Sequence, residues 1–248
     1  MGESGESEPG VAPEEPDTAQ EEETVGGGES ASGEEGSEEG GPRWGCFSLH
    51  RASRFVVSFQ AGASEEKAAP HVVRQTRERT AGRHGILWIS DGSGSYEKWV
   101  RKVYRDPVRT GAVGRPRLVR TPGVGLTQTI KTRENHRIVD VEVRHRFGPE
   151  PSDPHTVRVE RQNGVLRDRL NCLTRKTHGF AKRDETWDAL VVLCLFEHNW
   201  LRPHPGLREK AEGLPQGRRY RQRTPAMAIG LTDHVWEWEE FLTLRVNP

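Results

Sequence analysis

The first 42 residues carry 14 Asp or Glu and no Lys or Arg, in runs such as "GESGESEPGVAPEEP" and "ESASGEEGSEEGG". They offer almost nothing apolar to bury, so ordering them would lose more chain entropy than burial returns. The sequence therefore predicts a disordered acidic low-complexity tail over 1–42 and confines folding to 43–248. The split also changes the meaning of the net charge, which is zero over the whole chain. Beyond residue 42 there are 37 basic residues against the remaining 23 acidic ones, a surplus of 14. Such a body attracts polyanions, nucleic acid above all, through counterion release and long-range attraction. A generic basic surface is the alternative.

Three cysteines, Cys46, Cys172 and Cys194, lie far apart and form no CxxC. This pattern indicates neither a disulfide framework nor a zinc ribbon. No apolar run approaches the roughly 18 residues of a membrane span, and the start is acidic rather than basic and apolar. A soluble intracellular protein without a membrane partner is the expectation.

Periodicity then orders the folded part. "WGCFSLH" and "RFVVSFQAG" read as strands. Ser64 to Thr80 has helical composition, with Val72 and Val73 as apolar contacts and Pro70 expected to delay its start. "GILWIS" reads as a buried strand ending at Asp91, and "SYEKWVRKVY" as a helix with Tyr96, Trp99, Val100 and Val103 on one face. The alternation predicts an α/β layer. Residues 107–125 are basic and rich in Gly and Pro, which predicts an exposed loop. "LTQTIKT" and "RIVDVEVRHRF" read as strands about the turn "RENH". A helix follows over "VRVERQNGVLRDRL", with Val159, Leu166, Leu170 and Leu173 near one stripe. The clearest amphipathic pattern places Trp187, Leu190, Val191, Cys194, Leu195 and His198 on one face, with Asp184 expected as N-cap. Thr224 with Pro225 should open a short helix closed by Gly230, and Thr232 should cap "DHVWEWEEFL".

Glu160 stands among Arg158, Arg161, Arg167 and Arg169, with Asp168 the other carboxylate of the run. Alone, this window reads as a solvated helix face with weak ion pairs. Taken with "VERQNGVLRDRLNCLTRKTHGFAK", "FEHNWLRPHPGLR" and "RTPAMAIGLTDHVWEWEEFL", however, it resembles the C-terminal part of a DDE transposase of the insertion-sequence-1 type. "RASRFVVSFQAG", "RQTRERTAGRHGILWISDG" and "YEKWVRKVYRDPVRTG" extend the resemblance over about residues 43–245.

The resemblance implies an RNase-H-like mixed sheet with flanking helices, whose three carboxylates hold two divalent ions, Mg2+ or Mn2+, for DNA strand cleavage and strand transfer. Asp91 and Glu160 resemble the second and third acids and would be the catalytic and metal-binding residues. Arg161, Asn163, Arg167, Arg169, Arg175 and Lys176 would contact DNA. The implied partners are DNA, as insertion-sequence ends and target, and a homo-oligomer; the implied localisation is cytoplasmic and nucleoid-associated.

The family's first acid lies in a "DE-W-F/Y-V" strand shortly before the position of Arg43. Here the acidic tail stands in its place, and its only Asp, Asp17, lies in "EEPDTAQEE", which cannot make a buried strand. The fold is therefore expected to be truncated at its first strand. The function is either that of a transposase, reduced to an inactive remnant if the missing acid is required, or that of a non-catalytic DNA-binding or regulatory fragment.

Other tempting residues read as structural. His178, His198 and His204 do not have structural-zinc spacing, which leaves capping or DNA contact. Cys172 and Cys194 fall on apolar faces as core residues. Trp236 and Trp238 are expected to dock a terminal helix, with base stacking as the alternative. "RRYRQR" is open between nucleic-acid contact and solvated loop.

Overall fold

The computed structural model describes residues 44–80, 85–109, 111, 114–135, 137–173, 178–179, 181–215 and 218–244. The acidic segment lies outside them.

Strands β1 (Trp44–Leu49) and β2 (Val56–Gly62) form an antiparallel hairpin with a bulge at Ser48/Leu49. Its turn closes through Arg54 N–H to His50 O at 2.8 Å and His50 N–H to Phe55 O at 2.7 Å. Helix α1 (Glu65–Arg79) follows, with the Ser64 hydroxyl accepting from Lys67 N–H. Pro70 does not delay it. The proline sits inside the helix and is buried; only the Glu66 carbonyl loses its amide partner, and Glu66 is exposed, so water can replace the bond.

Helix α1 serves two cores. Ala68 and Val72 pack on Cys46 of β1, while Val73 joins Trp88, Val100, Tyr104, Leu126 and Phe147. Between hairpin and helix, the hydroxyls of Ser48, Ser58 and Thr76 lie 2.7–2.8 Å from one another; those of Ser58 and Thr76 donate to the Val72 carbonyl, which leaves the Ser48 proton to bond one of them. That buried polar seam is satisfied internally, as low-dielectric surroundings require.

Strand β3 (Leu87–Ser90) leads into helix α2 (Gly94–Val103). Strands β4 (Arg105–Val108) and β5 (Arg117–Arg120) pair antiparallel, β4 running into and β5 lying within the stretch 107–125 expected to be loop. The long strands β6 (Gly125–Glu134) and β7 (Arg137–Phe147) complete a mixed sheet of order β3-β6-β7, with β3 parallel and β7 antiparallel to β6. Among the described residues the β1-β2 hairpin shares no strand pairing with this sheet. The expected α/β layer is thus present as a mixed sheet with helices.

The third core belongs to the C-terminal half. Helix α3 (Val157–Arg169) contributes Leu166; helix α4 (Asp184–Phe196) contributes Trp187, Val191, Cys194 and Leu195; the hairpin contributes Phe47 and Val56. Val159, Leu170, Cys172 and Leu173 pack against it, as the stripe on α3 predicts. Trp187 stacks on Phe59, ring centroids 6.1 Å apart. Arg183, not Asp184, is the N-cap of α4, and Asp184 is its first helical residue; there its charge still faces the positive end of the helix dipole.

A π-helical turn, Glu197–Leu201, prolongs α4 and carries Asn199 to the hairpin. The Asn199 amide accepts from Val56 N–H at 2.9 Å and donates to Val56 O at 3.0 Å, imitating a strand partner for a buried residue. Short strands β8 (Glu209–Lys210) and β9 (Tyr220–Arg221) and helix α5 (Pro225–Ala228) follow, the last capped by Thr224 as expected. Thr232 does not cap the final helix, α6 (Trp238–Thr243). Its hydroxyl instead accepts from His234 N–H and Trp236 Nε1–H, which holds residues 232–236 in a turn. Phe196, Trp200, Trp236, Trp238 and Phe241 form one aromatic cluster, so Trp236 and Trp238 dock on protein. No helix of the described residues is long and apolar enough to cross a membrane.

Candidate functional site

The parallel pair β3/β6 positions both sequence-singled acids. Asp91 lies one residue beyond Ser90, which pairs with Gln128 of β6. The Gln128 side chain donates to the Asp91 carbonyl at 2.9 Å and to the Ser93 carbonyl at 2.8 Å, while accepting from Arg146 at 2.7 Å. This fixes the turn at the carboxyl end of β3, where open α/β sheets commonly place their ligands. The Asp91 carboxylate accepts from Ser93 N–H at 3.3 Å.

Three residues further along β6, about 10 Å at strand rise, Lys131 forms an ion pair with Glu160 in the first turn of α3. Thr129, on the same face of β6 as Lys131, donates to the Pro154 carbonyl and so anchors the approach to α3. Both acids therefore stand at the same end of the parallel pair, but in different company.

Asp91 is accompanied by Glu65, at the start of α1, and by Cys46 and Tyr96. Burial, with Asp91 and Glu66 adding repulsion, raises the Glu65 carboxyl above its usual range, although a hydrogen bond to Ser93 opposes this. Burial pushes the Cys46 thiol up to about 11. It also raises the Tyr96 phenol, with the nearby Cys46 and Glu65 adding to the shift. Glu160 behaves oppositely. Burial alone would raise its carboxyl, but hydrogen bonds from Lys131 and the Thr156 hydroxyl, reinforced by Arg133, hold it below the usual range.

A group depressed in this way contributes stability above its unfolded pKa, ordinarily 4.5, and loses it as pH falls through the folded value. The Glu160 side chain is half exposed, so the contribution is a few tenths of a kcal/mol, roughly that of a screened surface pair. Replacing Lys131→Met should raise the Glu160 pKa and flatten this acid limb; carbon-13 NMR titration of the carboxyl checks it, and an unmoved pKa would refute the assignment.

Of the expected DNA contacts, Arg161 is exposed and, among the described residues, its guanidinium has neither hydrogen-bond acceptor nor carboxylate. Asn163 is half-buried and Arg167 exposed. Arg169 is taken up by Glu197, whose hydrogen bond raises its pKa. Arg175 and Lys176 lie outside the described residues. Among the described residues no group of three or more His, Cys, Asp or Glu is arranged to hold a metal ion. Sequence reading missed Lys131 and Glu65. Thr127, Thr129 and Lys131, polar at every second position of a central strand, were a signal for the first. Glu65 meets Asp91 across 26 residues of chain, with no local pattern to announce it.

Compared with known proteins, the chain matches no family model, no curated protein and no solved structure.

Proposed function

We propose that the chain is a DNA-binding protein of transposase type, RNase-H-like in ancestry and non-catalytic as it stands. The observation that carries this reading is the way α3 seats itself: Leu166 is buried in the core and Arg161 is left outward with, among the described residues, no carboxylate to neutralise it, on a body with a surplus of 14 positive charges. DNA phosphates would supply the missing anions, with Asn163 and Arg167 adding contacts along the helix. Arg169, held by Glu197, contributes less. Insertion-sequence ends and target DNA, self-association and a nucleoid location belong to this proposal.

A second reading, cleavage and strand transfer with Mg2+ or Mn2+, is favoured by the placement of Asp91 and Glu160 at one end of the β3/β6 pair. Their hard oxygen donors suit such ions, but no third acid among the described residues joins both of them, and Lys131 already occupies Glu160. The residues do not fit a metal pair.

Salt-dependent binding of duplex DNA, measured alongside nicking of supercoiled plasmid in Mg2+ or Mn2+, separates the readings. Binding that weakens steeply between about 50 and 200 mM salt, without nicking, is the expected result. Metal-dependent nicking lost in both Asp91→Asn and Glu160→Gln would replace the first reading with the second. Absence of DNA binding at about 50 mM salt, where phosphate contacts are strongest, would overturn both.

A further inference from the structure

We propose that Arg54, Arg161 and Arg202, with His204 beside them, form a binding site for a phosphate group, and that its occupant is a backbone phosphate of nucleic acid. The site deepens the DNA-binding reading and rests on it only for the source of the phosphate.

Three segments meet there: the β1-β2 turn, the first half of α3, and residues 202–206 after the π-helical turn. Arg54 stands in the left-handed region at φ 63°, a conformation that glycine or asparagine adopts at less cost. A long cationic side chain kept at such a position points to a use for that side chain. Its Nε–H is sealed from solvent and, among the described residues, has no acceptor, an arrangement proteins rarely tolerate without a missing partner.

The surrounding charges share the deficit. Arg161 and Arg202 are exposed, and among the described residues no acceptor engages either guanidinium. Arg51 and Arg158, at the margin, are already committed, to Asp153 and to the Arg51 carbonyl. Burial, then the fields of Arg158, Arg161 and Arg51, depress the Arg54 pKa; burial and then Arg54, Arg161 and Arg202 do the same to His204. A cationic corner that disfavours its own charges stores affinity for an oxyanion.

The frame is fixed. The Arg54 carbonyl bonds His198 Nε2 at 2.9 Å, and His204 N–H donates to the Arg223 carbonyl at 2.9 Å. His204 Nδ1 accepts from Gly206 N–H at 3.0 Å, which leaves the ring proton on Nε2 as a donor. A Cβ on Gly206 would lie 3.3 Å from the His204 ring and 4.0 Å from Arg54 Nη2, so this tight turn brings imidazole and guanidinium to one place. Planar guanidinium forks and a neutral imidazole N–H suit the oxygens of a phosphate.

The test uses the full chain and the variants Arg54→Gly and Arg202→Gln, with calorimetric titration of inorganic phosphate and duplex-DNA affinity across salt. Arg54→Gly should weaken phosphate binding about ten-fold or more and lower the slope of log affinity against log salt by about 1. Its Tm should hold or rise, because glycine relieves the left-handed backbone. Arg202→Gln, on an ordinary exposed position, should repeat the binding losses without touching the turn. Unchanged phosphate affinity in both variants, with or without a lower Tm, overturns the site and leaves the DNA-binding reading intact. Phosphate binding lost in the variants while the wild type ignores DNA keeps the site and removes nucleic acid as its occupant. If the wild type binds neither ligand, both proposals fail.

Discussion

Gly148→Ala is expected to destabilise the mixed sheet sharply at its β7 end. Gly148 has φ 75°, and a Cβ there would fall 2.1 Å from the Val124 carbonyl oxygen and 2.6 Å from Gly125 Cα. Gly125 is equally closed, since its own added Cβ would meet the Pro149 carbonyl oxygen at 2.3 Å. The two backbones touch where β6 begins and β7 ends, so nothing flexible can yield. Left-handed strain and the displacement of a buried backbone together should cost about 3 kcal/mol or more, lowering Tm by roughly 6–12 °C for a body of this size. Gly85→Ala is the control: its φ is 82° but no atom lies within 4 Å of the added Cβ, so it should cost only about 1 kcal/mol. Equal Tm shifts in the two variants would remove the close approach as the cause.

Trp187→Ala should be comparably severe for a different reason. The indole is 7% exposed, stacks on Phe59, and lies 3.0 Å from where a Gly45 Cβ would stand, so hairpin and α4 have closed around it. Truncation leaves a large cavity between elements that cannot collapse together, a loss of about 3–5 kcal/mol. Trp187→Phe keeps the ring stack and should recover at least about half of it. Urea denaturation followed by circular dichroism reads both; a small loss in the alanine variant would mean that the hairpin repacks freely on α4.

The amphipathic spacing that marks Trp187 as a core residue was legible because a helix repeats every 3.6 residues whatever it packs against. All but Leu190 of that face are buried. Strands β4 and β5 escaped because "RDPV" and "RLVR" carry almost no burial pattern: seven of their eight residues are exposed, and pairing rests on backbone bonds that no side chain advertises. Pro70 misled because the rule against helical proline concerns interior carbonyls, and water can serve the exposed residue four positions earlier.

At the candidate site, the family resemblance, not the local pattern, singled out Asp91 and Glu160, which lie toward one end of the β3/β6 pair. The pattern could not reveal that Lys131 holds one and Glu65 crowds the other, because these contacts join elements 26 to 29 residues apart. The arginine corner was hidden for the same reason. "RASRF" gave no hint that its second arginine would take the one left-handed position in its turn, or that it would meet residues 202–206.

The Asn199 clip sets a timetable for synthesis. Val56 and Asn199 are 143 residues apart, so as the chain leaves a ribosome the β1-β2 hairpin must wait, with two backbone groups wet, until the end of α4 has emerged. Long-range closures of this kind slow folding and prolong exposure of sticky intermediates. Nascent chains arrested before residue 199 should therefore depend on holding chaperones, whereas those arrested well after it should not.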